Sequence, residues 1–233
     1  MPTRRSRDCD GSEAMDSSRT ALVLTSCTGR KDPAATFEEL AAEDLYQGEQ
    51  HKRLMRGVRA LREARWGVDV DLRIVSAAHG VVRGSKRLRA YDASFSGLGG
   101  PAIDEVAENL SIRASVGRLL CHGYDLILLL LGEDYMRAAG IGSETRFGSP
   151  TIAFAGRRLK QQEESLPLRV VPAGREEARR FSCGVVGLKG EMAGRLLELI
   201  ARRPEVFDDL VDLDLDLLDL LDGVPEEAAL APA

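Results

Sequence analysis

Long apolar runs are missing from this sequence: the longest, Leu126 to Leu131, is too short to cross a bilayer. Met1 to Arg19 is polar and charged and has no apolar h-region, which excludes a secretory signal. Cysteine is scarce and scattered. Cys9, Cys27, Cys121 and Cys183 form no C-x-x-C pair, which argues against zinc ligation and a disulfide framework and for a reducing compartment. A cytoplasmic protein without metal or other cofactor is expected. Neither a Walker A loop nor a G-x-G-x-x-G fingerprint is present, so the two commonest nucleotide-phosphate signatures are excluded.

What is there is charge, unevenly spread. Residues 204–233 hold ten acidic side chains and no Lys or Arg, so the net charge of -5 hides a basic body. The excess is densest between His51 and Ala90, where eleven Lys and Arg face three carboxylates. Such a stripe suits a polyanion, because each neutralised phosphate releases counterions; a solvated arginine-rich helix explains it equally well.

Hydrophobic periodicity organises the rest. Ala21 to Thr25, Val70 to Val75 and Asp125 to Leu131 are continuous apolar runs of the buried-strand type, with weaker strands at Thr151 to Phe154 and Leu168 to Val171. Helical segments are expected from about Thr36 to Arg65 (broken near Tyr46 to Gly48), from Ala102 to His122, in a short piece after Gly132, and from about Lys189 to Arg202. Val81 to Pro101 is expected to be loop. Strands alternating with helices imply a single α/β domain over residues 20–203. Its mainly parallel sheet carries helices on both faces, in a Rossmann-like or glycosylase-like three-layer arrangement. Residues 1–19 are expected to be a disordered leader. Residues 204–233, where Asp alternates with Leu, are expected to be an unpacked acidic tail that either solubilises the chain or folds back on the basic stripe.

Ligands of such sheets sit outside the carboxyl ends of the strands, which brings three loops into view. Ser26-Cys27-Thr28-Gly29-Arg30-Lys31 offers hydroxyls, a thiol, a glycine turn and two cations, a cradle for an anion or sugar-phosphate or simply a polar turn. Cys27 has no identifiable histidine partner and reads as a half-buried thiol rather than a nucleophile. Ser76-Ala77-Ala78-His79-Gly80 repeats the arrangement one strand later. Its small side chains admit a planar ligand, and its histidine either contacts a phosphate or base or serves the fold. Tyr91-Asp92, with Ser94 nearby, follows the cations Arg83, Lys86, Arg87 and Arg89. An aspartate among cations stays ionised and suits stabilisation of an oxocarbenium-like sugar, and a surface ion pair is the plainer reading. Asp44-Leu45-Tyr46 is a second acid–aromatic pair. Arg157 after a strand and Lys189 before a helix add cations on the same topological side.

Taken in order, strand–Ser-Cys, Asp-Leu-Tyr, Val-Ser-Ala-x-His-Gly and Tyr-Asp resemble a bacterial and phage family whose members show "SC-x-x-K", "A-x-x-LY", "LSA-(K/R)-(H/Y)-G" and "PYD". The stretch from Ser76 to Phe95 is also similar to the "SG-x-YG … PYR" segment of peroxide-stress DNA-binding proteins. More distantly, the first motif resembles a domain found in archaeal relatives of tRNA-guanine transglycosylases. The likeness spans about Ala21 to Gly140; Ala90 departs from the family's proline before Tyr91. Some members look like antiphage DNA glycosylases that excise glucosylated hydroxymethylcytosine from phage DNA and leave abasic sites.

That resemblance implies catalysis by Asp92 with Tyr91 and His79. Base or sugar would be held by Ser26, Cys27, Thr28, Lys31, Tyr46, Ser76, Ala77, Gly80 and Ser94, and the backbone by Arg30, Arg83, Lys86, Arg87, Arg89, Arg157 and Lys189. Asp44 and Asp134 are the next candidate acids. The alternatives are a non-catalytic DNA- or RNA-binding stress protein and a nucleoside or tRNA-base-modifying transferase.

Overall fold

A computed structural model describes residues 19–64, 67–161, 168–211 and 216–223. Six strands form one sheet: β1 (Arg19–Ser26), β3 (Val68–Ser76), β4 (Gly80–Arg83), β6 (Leu126–Leu130), β7 (Thr151–Ala155) and β8 (Arg169–Pro172). Their order is β4-β3-β1-β6-β7-β8, and every pair is parallel except the antiparallel β3–β4 edge. The five parallel strands thus follow the flavodoxin-like doubly wound order, with the direction of winding reversing beside β1. A short antiparallel pair, β2 (Leu40–Ala41) and β5 (Arg87–Leu88), stands apart.

Helices cover both faces. The first is α1 (Ala42–Leu45), then α2 (Glu49–Glu63), α3 (Gly100–Asn109), α4 (Ile112–Leu120), α5 (Glu133–Ala139), α6 (Arg157–Gln161), α7 (Arg175–Arg180), α8 (Val185–Arg202), α9 (Glu205–Val211) and α10 (Leu217–Asp222). The two-residue period of the central strands divides the core. Ala21 and Val23 of β1 and Leu126, Leu128 and Leu130 of β6 pack beneath α2 and α8. Leu22 and Leu24, with Ile127 and Leu129, pack beneath α3, α4 and α5. Strands buried on both faces read as unbroken apolar runs, which is why these two are legible from sequence. No helix among the described residues is long and apolar enough to cross a membrane.

The pairing of α2 with α8 depends on glycine. A Cβ on Gly190 would stand 1.9 Å from the Gln50 carbonyl oxygen, and one on Gly57 would stand 2.3 Å from that of Gly194. Backbones this close leave room for no side chain. Glu191 is fully buried at the same seam and is gripped by Arg195 at 2.7 Å, Arg53 at 2.7 Å and Arg56 at 3.3 Å. Burial alone would raise its pKa, but the hydrogen bonds from Arg195 and Arg53 and the charge of Arg56 hold it below the usual range.

Several sequence expectations are corrected. The segment expected to be loop contains β4 and β5, too short to announce themselves. The helix expected over Ala102 to His122 is two helices, broken where Ser111 turns left-handed at φ 51°. The last long helix begins at Val185, because its glycines serve the α2 contact rather than a loop. The acidic tail is packed, not free, where it is described. Phe207, Leu210, Leu217 and Leu221 are buried in the core, Asp208 pairs with Arg19 at 2.9 Å, and Asp219 and Asp222 pair with Arg180. Asp208, Asp219 and Asp222 face arginines outside the 51–90 stripe, and Leu210, Leu217 and Leu221 lie on helices rather than on a strand. The remaining tail residues and the leader's residues 1–18 lie outside the described residues; Arg19 belongs to β1.

Candidate functional site

At the carboxyl ends of β1 and β3, four separated sequence motifs converge. The last residue of β3, Ser76, carries a hydroxyl that accepts the backbone N–H groups of Ala78 (3.2 Å) and His79 (3.1 Å), fixing the turn into β4. The same oxygen stands 2.7 Å from the Tyr91 hydroxyl, which stands 2.7 Å from that of Tyr46. His79 meets the Tyr91 ring edge-on, with centroids 4.8 Å apart, and the Lys31 ammonium lies 4.2 Å from the centroid of that ring. Tyr91 is therefore contacted by Ser76, Tyr46, His79 and Lys31.

The loop after β1 is stitched to the turn between α1 and α2. Lys31 and Tyr46 form an isolated antiparallel bridge, Gln47 N–H donates to Arg30 O, and Gly48 N–H donates to the Thr28 hydroxyl at 3.2 Å. Thr28 itself donates to Arg30 O, so it shapes the loop instead of facing a ligand. Gln50 ties the winding-reversal point together by donating to Thr25 Oγ1 and to the carbonyl of Leu130. Cys27 is 5% exposed, and its sulfur lies 3.0 Å from the hydroxyl of Tyr135 on α5.

The electrostatics are those of neutral donors. Burial pushes the Tyr46 phenol up to about 12. Burial, then Cys27 and Tyr46, push Tyr91 far above the ordinary tyrosine range, and burial with Cys27 does the same to Tyr135. Burial and the nearby Lys86 lower the His79 pKa, so its ring is neutral at pH 7.

The expected residues sort plainly. Cys27, Lys31, Tyr46, Ser76, His79 and Tyr91 come together, with Tyr135 beside Cys27, whereas the Ser94 hydroxyl accepts the Ser96 N–H. Ser26 ends β1 half-buried and Ala77 is buried beside Ser76. Gly80 holds φ +69° and faces Leu110, a backbone role. Asp92 is exposed and has no recorded partner among the described residues, unlike Glu43, Asp44 and Asp104, which bind Arg62, Arg59 and Arg137. The sequence reading missed Tyr135, Gln50 and Phe95, whose ring lies edge-on to Tyr135. Tyr135 was findable, since it follows β6 much as Cys27 follows β1.

The basic stripe is largely spent inside the protein. Arg53 and Arg56 bind Glu191, Arg59 binds Asp44, Arg62 binds Glu43, Arg73 binds Asp71, and Arg87 donates to Glu39 O. Among the described residues, no ion pair is recorded for Arg30, Lys52, Arg83, Lys86 or Arg89, all exposed. Lys189 points into a cleft, its ammonium 2.5 Å from Leu131 O, which does not suit the backbone-phosphate contact expected of it. Arg157 opens α6, and its side chain lies outside the described residues.

No protein-family model and no curated protein sequence matches the chain. Among solved structures, an azoreductase from Bacillus anthracis str. Sterne aligns with 77% of this chain and 99% of its own, at 9% identity and a TM-score of 0.35. A likeness that low carries no argument about activity.

Proposed function

We propose that this protein takes a flipped nucleotide of modified phage DNA into the crevice around Tyr91 and hydrolyses its N-glycosidic bond. The base class is glucosylated hydroxymethylcytosine, the product an abasic site, and the setting bacterial cytoplasm under phage attack. The single observation that carries this reading is the exposed carboxylate of Asp92, unpaired among the described residues, next to a tyrosine wired to Ser76 and Tyr46. Glu43, Asp44 and Asp104 are bound by arginines; the Asp92 carboxylate, with no ion pair among the described residues, is available to a sugar.

In the proposed step the C1′–N bond breaks with its electron pair leaving on the base, and Asp92 stabilises the developing oxocarbenium charge. Water then adds to C1′, giving its proton to Asp92, while the departing base gains a proton from solvent. Neutral donors suit recognition of a polar base or its sugar adduct: His79 and the hydroxyls of Ser94 and Tyr135 bond without desolvating a charge. Arg30, Lys86 and Arg89 would hold the strand.

One observation favours a second reading, binding without catalysis. The hydroxyl cluster consists of phenols, a serine and a neutral imidazole, groups that grip a ligand without a strong base among them. Incubation with glucosylated, hydroxymethylated and plain duplexes, followed by alkali, separates the two. Strand breaks confined to the modified duplex are expected. Salt-sensitive binding with no breaks on any substrate selects the binding module. Asp92→Asn is expected to abolish cleavage while sparing binding; full activity in that variant would remove Asp92 from the mechanism.

A further inference from the structure

Beyond the Tyr91 crevice, a cleft of about 400 Å³ opens at the carboxyl ends of β6 and β7. Its walls set the apolar side chains of Leu131, Ile103, Met136 and Leu159 beside the charged Lys189, Glu133, Asp134 and Arg137, and Gly156 leaves the β7 end open to a ligand. Tyr135, the α5 residue that meets Cys27 from the loop after β1, is not part of the lining, so this is a separate site. Into it projects Lys189 from the second turn of α8. Its one recorded hydrogen bond among the described residues goes to the Leu131 carbonyl at 2.5 Å, which leaves two of three donors uncommitted.

Two further facts make this lysine unusual. Only five of the chain's 32 cationic side chains are lysines; the rest are arginines, which never deprotonate. The body of the protein thus uses arginine nearly everywhere, yet its most buried cleft cation is an amine. Moreover, among the described residues no carboxylate accepts a hydrogen bond from that amine. Glu133 acts on it only across a distance, and burial drives its pKa down to about 8. Apart from Lys189 the cleft carries net negative charge. Arg137 is tied to Asp104 and the Gly100 carbonyl, and Glu133 and Asp134 add negative charge at the rim. A phosphate or polycarboxylate finds little attraction there, whereas an uncharged electrophile meets no penalty.

We infer that Lys189 is an imine-forming amine, and that the cleft binds a small aldehyde or ketone with an apolar body covalently through Nζ. The nitrogen lone pair attacks the carbonyl carbon and the C=O pair moves onto oxygen. A proton shed by nitrogen reaches that oxygen, giving a carbinolamine; with one further proton from solvent, water departs and a protonated imine remains. Nothing is oxidised or reduced. At pH 7 about a tenth of such an amine is neutral and nucleophilic, against well under a hundredth for an ordinary lysine.

The test uses the full chain, butanal or benzaldehyde at sub-millimolar concentration, and sodium cyanoborohydride at pH 7.5 to trap the imine as a stable secondary amine. Peptide mass spectrometry then compares Lys189 with the exposed Lys52 and Lys86. Labelling of Lys189 at least ten-fold above both is expected, and it should vanish when the chain is unfolded in urea before labelling. Equal or lower labelling of Lys189 overturns the inference, as does selectivity that survives unfolding. Lys189→Arg should leave labelling at Lys52 and Lys86 unchanged and give no adduct on that peptide. Should that variant fail to fold, the wild-type map decides alone.

Discussion

The hydroxyls of Ser76 and Tyr91 stand 2.7 Å apart, and through them the end of a core strand is hydrogen-bonded to a loop fifteen residues later. Ser76 also holds the N–H groups of Ala78 and His79, so one oxygen serves the turn and the site together.

Ser76→Ala is therefore expected to lower stability by about 1–2 kcal/mol, the cost of leaving buried partners unsatisfied. Tyr91→Phe should cost a similar amount, because Tyr46 is 1% exposed and loses its phenol partner. Urea titrations of both variants and of the double variant check this. If the two effects simply add, Ser76 and Tyr91 are not coupled.

Acid should unfold the protein through Glu191. Its carboxylate is depressed in the folded state, so its contribution is complete above the unfolded value near 4.5 and is lost as pH falls through the lower folded value. Glu191→Gln, which leaves three arginines facing a neutral group, should cost about 3 kcal/mol at pH 7. The same variant should flatten the decline of the urea midpoint between pH 5 and 3. A decline as steep as in the parent would move the acid sensitivity elsewhere.

Lys189, unlike Glu191, destabilises the fold in its charged form. Its folded pKa of about 8 lies below the usual 10.5, so below pH 8 the fold carries an ammonium it would rather not bury. Stability should rise with pH between about 8 and 10.5, where only the unfolded chain stays protonated. Lys189→Met should gain about 2 kcal/mol at pH 7 and lose that rise. Urea midpoints at pH 7 and 9.5 measure both; a destabilised methionine variant would show that the Leu131 hydrogen bond outweighs burial.

Gly194→Ala, with its Cβ 2.5 Å from the Arg53 carbonyl oxygen, should force α2 and α8 apart at a cost of about 3 kcal/mol. A thermal midpoint within a degree of the parent would mean that the pair has room to slide.

The central strands were legible because burial on both faces leaves no alternation to misread, and Leu126 to Leu130 could be little else. Equally legible was the gathering of Ser76, Tyr91, Tyr46 and Cys27, since strand ends of a doubly wound sheet share one edge. What the sequence hid was tertiary. Arg53, Arg56, Arg59 and Arg62 look like a binding stripe until Glu191, Asp44 and Glu43 arrive from other segments to neutralise them. Gly187 and Gly190 look like a loop until α2 is known to press on them. The tail's leucines look stranded until Leu217 and Leu221 are seen inside the core.

The broadest helix-to-helix seam joins residues 49–63 to residues 185–202. During synthesis, β1 and α2 leave the ribosome long before their cover exists. The apolar side chains of Leu54, Val58 and Leu61 stay wet until α8 emerges, so nascent chains shorter than about 200 residues should recruit chaperones and resist folding. A ribosome-bound chain halted before Val185 would be protease-sensitive throughout α2; one halted well beyond Arg202 would not.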